Sequence, residues 1–94
     1  MSYSDTEAAR YKRAIDKLEE RLNQVAAAAA ARRGSGTPKG QLVAKEVQSG
    51  RAMVANCRVG AGNGPSAPAA SVARRLIRDG LGKLLIQIEK IEEI

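Results

Sequence analysis

The chain of 94 residues is short and basic, with a net charge of +6, and it contains two Tyr but neither Phe nor Trp. Because aromatic side chains bury the most area each, we expect one small domain with an aliphatic core. The sequence has no His and a single Cys, so it lacks the commonest general base and metal ligand, and no zinc-site spacing is available. We therefore expect a non-enzymatic protein that uses no cofactor, no metal and no small-molecule substrate.

The single cysteine, Cys57, excludes an internal disulfide and is typical of a protein from a reducing compartment. Its apolar neighbours Val54, Ala55 and Val59 favour a buried structural role over a reactive thiol. Residues 1–5 lack the basic start of a signal peptide, and no apolar run is long enough to cross a bilayer. The sequence therefore predicts a cytoplasmic protein, or one packaged in a particle assembled in the cytoplasm, that does not insert into membranes.

The first predicted element is one long amphipathic helix over residues 1–33. Ser4 and Glu7 match a capping box at its start, and Arg32 and Arg33 suit its negatively polarised end. Apolar residues recur at intervals of three and four positions, which is typical of a narrow, coiled-coil-like seam. Because such a seam needs a second surface, we expect a homo-oligomer or a permanent place in a larger protein assembly. The predicted oligomerisation seam consists of Tyr11, Ile15, Leu18, Leu22 and Val25.

Residues 34–40 are rich in Gly, Ser and Pro and are predicted to form a linker. Beyond it, apolar and polar residues alternate in residues 51–59 with the two-residue period of a strand. A β-hairpin that turns at Gln48–Arg51 is therefore predicted. The competing interpretation is a helix over residues 41–57, which Gly50 disfavours.

Residues 60–68 have the composition of a loop, and Ser66 or Ser71 is predicted to cap a short helix that ends at Gly80. The remaining segment, residues 83–94, fits two structures. As a strand, it places Leu84, Ile86 and Ile88 on one face. As a helix, it forms another seam at intervals of three and four residues. Gly80 and Gly82 disfavour a helix that continues the preceding one, because each glycine costs about 1 kcal/mol relative to alanine inside a helix. We favour the strand; the residues of the alternative seam are Leu81, Leu84, Ile88 and Ile91.

Together these elements predict an α+β fold. The long helix occupies residues 1–33, the linker residues 34–40, and a small ββαβ unit residues 41–94. The alternative is an all-α helical hairpin or bundle, in which the N-terminal and C-terminal seams pack as an antiparallel pair.

Positive charge is concentrated in residues 41–80, which suggests a site for phosphate or for an acidic partner. On a helix, Arg74 and Arg78 lie four residues apart with Arg75 beside them, so their guanidinium groups project from one side. Arginine suits phosphate because its planar fork donates two hydrogen bonds at once. No aromatic residues are interleaved with these cations, so base stacking on single strands is not expected. The predicted binding residues are Arg51, Arg58, Arg74, Arg75 and Arg78.

Two classes of function follow from these patterns. The first is a small, basic, oligomeric structural or interaction protein, such as a virion or scaffold subunit or an adaptor, assembled through the N-terminal seam. The second is an oligomer that binds nucleic acid without sequence preference, with phosphates contacting the Arg-rich helix face. The first ranks higher, because a seam, flexible connectors and the lack of catalytic residue types all fit it.

Overall fold

The described part of the chain folds as a bundle of three helices. A computed structural model describes residues 5–62 and 70–94, and within these residues the elements are α1 (Asp5–Arg33), α2 (Pro38–Gly62) and α3 (Ala70–Glu93), with no strand. Together they form a rod of 50 × 18 × 16 Å.

The ion pairs between helices define their directions. Glu7 pairs with Arg74 where α1 and α3 begin, and Arg33 donates a hydrogen bond to the Ile94 carbonyl oxygen where both end, so α1 and α3 run parallel. Arg58, near the end of α2, contacts Asp16 in the first half of α1 at 2.8 Å. α2 therefore runs antiparallel to the other two helices, giving up-down-up topology.

The predicted α+β class is wrong, and the described residues match the all-helical alternative. The predicted β-hairpin lies within α2, and the predicted last strand, residues 83–94, continues α3. Burial in α2 follows a helical period, since Val47, Val54 and Cys57 are buried whereas Val59 is exposed. The bundle also differs from the alternative in one respect: α1 and α3 pack in parallel.

Two glycines that the sequence analysis took as breaks are sites of close helix packing. A Cβ at Gly50 would lie 3.0 Å from Cδ1 of the fully buried Leu22 in α1, and a Cβ at Gly80 would lie 2.8 Å from the Cys57 Sγ in α2. A glycine inside a helix costs about 1 kcal/mol relative to alanine. Here that cost is offset because the missing side chain lets neighbouring helices approach.

The connection between α1 and α2 is shorter than the predicted linker. Gly34 follows the last residue of α1 with a φ of +74°, a left-handed conformation that favours glycine. Thr37 then caps α2, since its Oγ1 accepts a hydrogen bond of 2.9 Å from the Gly40 N–H, and Pro38 occupies the first helical position. The tight turn fixes α1 and α2 side by side.

Two other predictions for the helix ends concern undescribed parts of the chain. The predicted caps at Ser4 and Ser66 lie outside the described residues. Of the predicted loop 60–68, residues 60–62 form the last turn of α2 and the rest lie outside the described residues.

The core draws aliphatic side chains from all three helices. Its largest members have 1% or less of their surface exposed, and partly buried Met53 and Leu81 pack against them. The small residues Ala26, Ala29 and Ala61 complete the core and permit close packing. The fully buried large side chains are Ile15, Leu22, Ile77, Leu84, Ile88 and Ile91.

Candidate nucleic-acid interface

The predicted oligomerisation seam lies inside the bundle. Ile15 and Leu22 are fully buried, while Tyr11, Leu18 and Val25 are half-buried and pack against the same core. α2 and α3 of the same chain provide the second surface that the seam requires. Because the bundle covers these residues, the seam alone does not indicate a partner. Its role in self-association stays a prediction.

The five predicted binding arginines do not form a single patch. Arg58 bridges Asp16 at 2.8 Å and Glu19 at 2.7 Å, and Arg74 forms a two-pronged ion pair with Glu7. Both join α1 to another helix, so their charge is largely neutralised within the fold. Exposed pairs such as those of Arg58 contribute little to stability, about 0–1 kcal/mol each.

These ion pairs also hold their groups in the charged state. The hydrogen bond from Arg74 lowers the pKa of the Glu7 carboxyl, and in return Glu7 raises the pKa of Arg74. Hydrogen bonds to Asp16 and Glu19 likewise raise the pKa of Arg58. The three groups keep their charges near neutral pH and stabilise the bundle rather than a ligand.

The other three predicted arginines are exposed. Among the residues that the structure describes, no carboxylate lies within ion-pair distance of Arg51, Arg75 or Arg78. Arg75 and Arg78 lie in the first half of α3, whereas Arg51 lies in α2 beside a separate groove with Asn23 and Ala44. Only Arg75 and Arg78 therefore stay together as a candidate site.

The fold adds cations that the sequence analysis did not select. Arg10 of α1 lies beside Arg78 of α3, and the two share a shallow pocket of about 340 Å³ with Thr6, Glu7 and Tyr11. Arg13 and Lys17 continue along the solvent-exposed side of α1. Their spacing of three and four residues is the signal in the sequence that indicates this row, which lies outside residues 41–80, where the predicted arginines lie.

Most of the excess charge lies in one half of the bundle. The half in which α1 and α3 begin and α2 ends comprises residues 5–18, 51–62 and 70–81, and it is called the basic end below. It holds nine of the sixteen Lys and Arg residues but only four of the ten Asp and Glu residues. A local excess of this kind attracts polyanions and speeds their association.

Within the described residues, three features are absent: a cluster of metal ligands, a reactive thiol and a helix able to cross a membrane. No group of three or more His, Cys, Asp or Glu side chains is placed to hold a metal ion within residues 5–62 and 70–94. Burial raises the pKa of the Cys57 thiol, which makes it a poor nucleophile. Of the three described helices, none combines the length and the apolar character needed to cross a bilayer.

A cluster of polar side chains is buried between α2 and α3 among the described residues and serves packing. Gln87 of α3 donates hydrogen bonds to the Glu46 carbonyl oxygen at 2.8 Å and to the Glu46 carboxylate at 2.7 Å, and Lys90 lies 3.2 Å from the same carboxylate. These bonds lower the pKa of Glu46, with the Gln87 bond contributing most. The cluster joins α2 to α3 at the end opposite the basic end.

Comparison of the chain with protein-family models, with curated protein sequences and with solved structures finds no match.

Proposed function

We propose that this protein is a small, non-enzymatic interaction protein whose basic end binds the phosphate backbone of nucleic acid. The observation that carries the proposal is a set of exposed cations at the basic end. No described carboxylate lies within ion-pair distance of these cations. Two of them come from different helices and flank one pocket, Arg10 from α1 and Arg78 from α3, and Arg75 lies three residues before Arg78 in α3.

The chemistry of these side chains fits phosphate. A guanidinium group donates parallel hydrogen bonds to two phosphate oxygens, and it stays charged at every physiological pH. Arg10 and Arg78 flank one shallow pocket whose own carboxylate, that of Glu7, is already engaged by Arg74. The pocket therefore keeps a net positive charge while its acidic member remains occupied within the protein.

The same residues argue against reading of the base sequence. Among the described residues, Tyr11 is the one aromatic residue at the pocket, and it is half-buried against the core, so its ring is not free for base stacking. Contacts to phosphate fix position but carry no sequence information. We therefore expect binding that is insensitive to sequence and that weakens steeply with salt.

The test compares two double variants that remove the same charge from opposite ends. Arg10→Gln/Arg78→Gln changes the basic end, and Lys39→Gln/Lys45→Gln changes exposed residues at the start of α2. Fluorescence polarisation with a labelled duplex of about twenty base pairs follows binding as salt rises from about 50 to about 200 mM. The first variant should weaken binding about tenfold or more and lower the slope of log K against log salt by about 2. The control variant should change both much less.

Three outcomes would overturn the proposal. One is the absence of measurable duplex binding by the wild-type protein at the lowest salt. Another is an equal loss of affinity in both double variants, which would place the contact outside the basic end. Stronger competition by polyglutamate than by unlabelled duplex would identify an acidic polypeptide as the preferred partner and would also reject nucleic acid.

A role as a subunit of a larger assembly draws its support from a different surface. The α1 seam is covered within the bundle, but exposed apolar side chains recur along α3.

A further inference from the structure

α3 carries a second row of side chains on the side away from the core. Its members recur at intervals of four, three, four and three residues, which is the spacing of a coiled-coil seam. All of them are exposed, and the apolar ones expose between 53% and 66% of their surface. This row, the α3 stripe, consists of Val72, Leu76, Asp79, Lys83 and Ile86.

We propose that the α3 stripe binds a second copy of this chain, with the two α3 helices antiparallel and a two-fold axis passing near Gly82. Four of the five members of the stripe complement one another in that arrangement. When Leu76 packs against Ile86 of the second copy, the same register places Asp79 opposite Lys83 of the second copy. Two-fold symmetry repeats both contacts, so the interface gains two apolar pairs and two pairs of opposite charge.

The residues that flank the stripe match as well. Arg75 and Glu89 lie on one side of it, and in the same register Arg75 meets Glu89 of the second copy. Gly82 lies between them on that flank and comes closest to its own counterpart at the axis. A Cβ at Gly82 would meet no atom of the described residues within 4 Å in the single bundle. The single bundle therefore gives no packing reason for this glycine, whereas close approach of a second helix does.

Charge also determines the direction of the second helix. Parallel packing would place Asp79 against its own counterpart and Lys83 against its own counterpart, and like charges in a seam are destabilising. It would also bring two basic ends side by side. Antiparallel packing separates them and pairs each charged member of the stripe with its opposite.

The surface beside the stripe can accept part of the second helix. Leu76, Asp79 and Lys83 form one wall of a groove of about 380 Å³ between α2 and α3, and Met53 and Asn56 lie along the other wall. From Val72 to Ile86 the stripe spans about 21 Å at the rise of an α-helix. An interface of this length is small, so we expect a dissociation constant in the micromolar range.

Charge reversal tests the proposal without changing the apolar surface. The wild-type mass should rise from 9.9 kDa towards twice that value as concentration increases, measured by sedimentation equilibrium. Asp79→Lys alone and Lys83→Asp alone should each remain monomeric, because each creates like-charged pairs. An equimolar mixture of these two variants should form a heterodimer, and D79K/K83D in one chain should restore the homodimer. Far-UV circular dichroism should show equal helical content in all four proteins.

A wild-type protein that stays at 9.9 kDa up to about 500 µM would overturn the proposal, since a micromolar dimer is then fully formed. Single variants that dimerise like the wild type would overturn it, and so would a failure of the double variant to restore association. None of these residues is changed in the duplex-binding variants, so failure of either proposal leaves the other testable.

The direction of packing has its own test. Gly82→Cys should form a covalent dimer under mild oxidation, because the two copies of position 82 meet at the axis. Ile86→Cys should not, because its counterpart in the second copy lies about 14 Å away along the helix axis. Cys57 is buried and is common to both variants. Crosslinking of Ile86→Cys but not of Gly82→Cys would contradict the antiparallel register.

Discussion

Gly80 and Gly82 are two residues apart in α3, yet the structure gives them opposite responses to substitution by alanine. Alanine gains about 1 kcal/mol over glycine inside a helix at either position. At Gly82 the added Cβ meets no atom of residues 5–62 or 70–94 within 4 Å, so the free energy of unfolding should rise by about 1 kcal/mol. At Gly80 the Cβ would lie 2.8 Å from the Cys57 Sγ, and overpacking of this kind costs about 1–3 kcal/mol. Gly80→Ala should therefore be less stable than Gly82→Ala by about 1–3 kcal/mol.

A double-mutant cycle isolates the contact that causes the difference. Cys57→Ala removes the sulfur, so Gly80→Ala in that background should stabilise the bundle by about 1 kcal/mol, as Gly82→Ala does. Urea unfolding followed by far-UV circular dichroism measures each free energy. Repeating it at two protein concentrations reveals any contribution from self-association. Equal effects of the two glycine substitutions, or no coupling between positions 57 and 80, would refute the close approach of α2 and α3.

Three further predictions concern the turn and the buried polar cluster. Gly40→Ala should destabilise the fold by about 3 kcal/mol in urea unfolding. The reason is that its Cβ would lie 1.8 Å from the Gly34 carbonyl oxygen, a backbone atom. A loss below about 0.5 kcal/mol, which is the scatter of surface substitutions, would mean that the turn has a different structure. Thr37→Ala removes the cap of α2 and should cost about 1 kcal/mol, whereas Thr37→Ser should keep most of it. Because the pKa of Glu46 is lowered in the fold, its stabilisation is full above the ordinary carboxyl value of 4.5 and is lost as the pH falls through the folded pKa. Glu46→Gln should therefore flatten the pH dependence of the unfolding free energy in that acid range, and an unchanged slope would contradict the role of the Gln87 bond.

The first helix could be predicted from the sequence, whereas the second could not. In α1 the apolar residues keep a helical spacing over many turns, and the helix ends at Arg33, before Gly34. In α2 the buried side chains are small, and Ala52 and Ala55 are exposed, so the local pattern resembles alternation. A glycine at a helix contact and a glycine in a turn look the same until the neighbouring helix is known.

α3 shows the same limit. Its core residues Leu84, Ile88 and Ile91 belong to the alternative helical seam of the sequence analysis. Gly80 and Gly82 disfavour that helix, and the strand was predicted for this reason. Helix propensity disfavours glycine at both positions. At Gly80, however, the close packing of α3 onto α2 requires a residue without a side chain.

The sequence predicted that the candidate site is rich in arginine, but not which arginines lie together. Sequence patterns selected Arg58 and Arg74. The two carboxylate partners of Arg58 lie 42 and 39 residues away in the chain and that of Arg74 lies 67 residues away, so their neutralisation depends on the tertiary fold. Arg75 and Arg78 remain exposed, and the fold adds Arg10 from the first helix. Which cations lie together is a property of helix packing that spacing along the chain does not encode.

The most direct test of the account compares Leu22→Asp with Leu76→Asp. Leu22 is fully buried in the α1 seam, whereas Leu76 exposes 63% of its surface on the α3 stripe. A charge at a buried position without a partner costs several kcal/mol, so Leu22→Asp should lose most of its helical content in far-UV circular dichroism. Leu76→Asp should keep the wild-type spectrum and remain a monomer in sedimentation equilibrium. If Leu22→Asp keeps its helical content and only loses self-association, then the α1 seam is an interface between chains and the bundle described above is not the fold of the protein in solution.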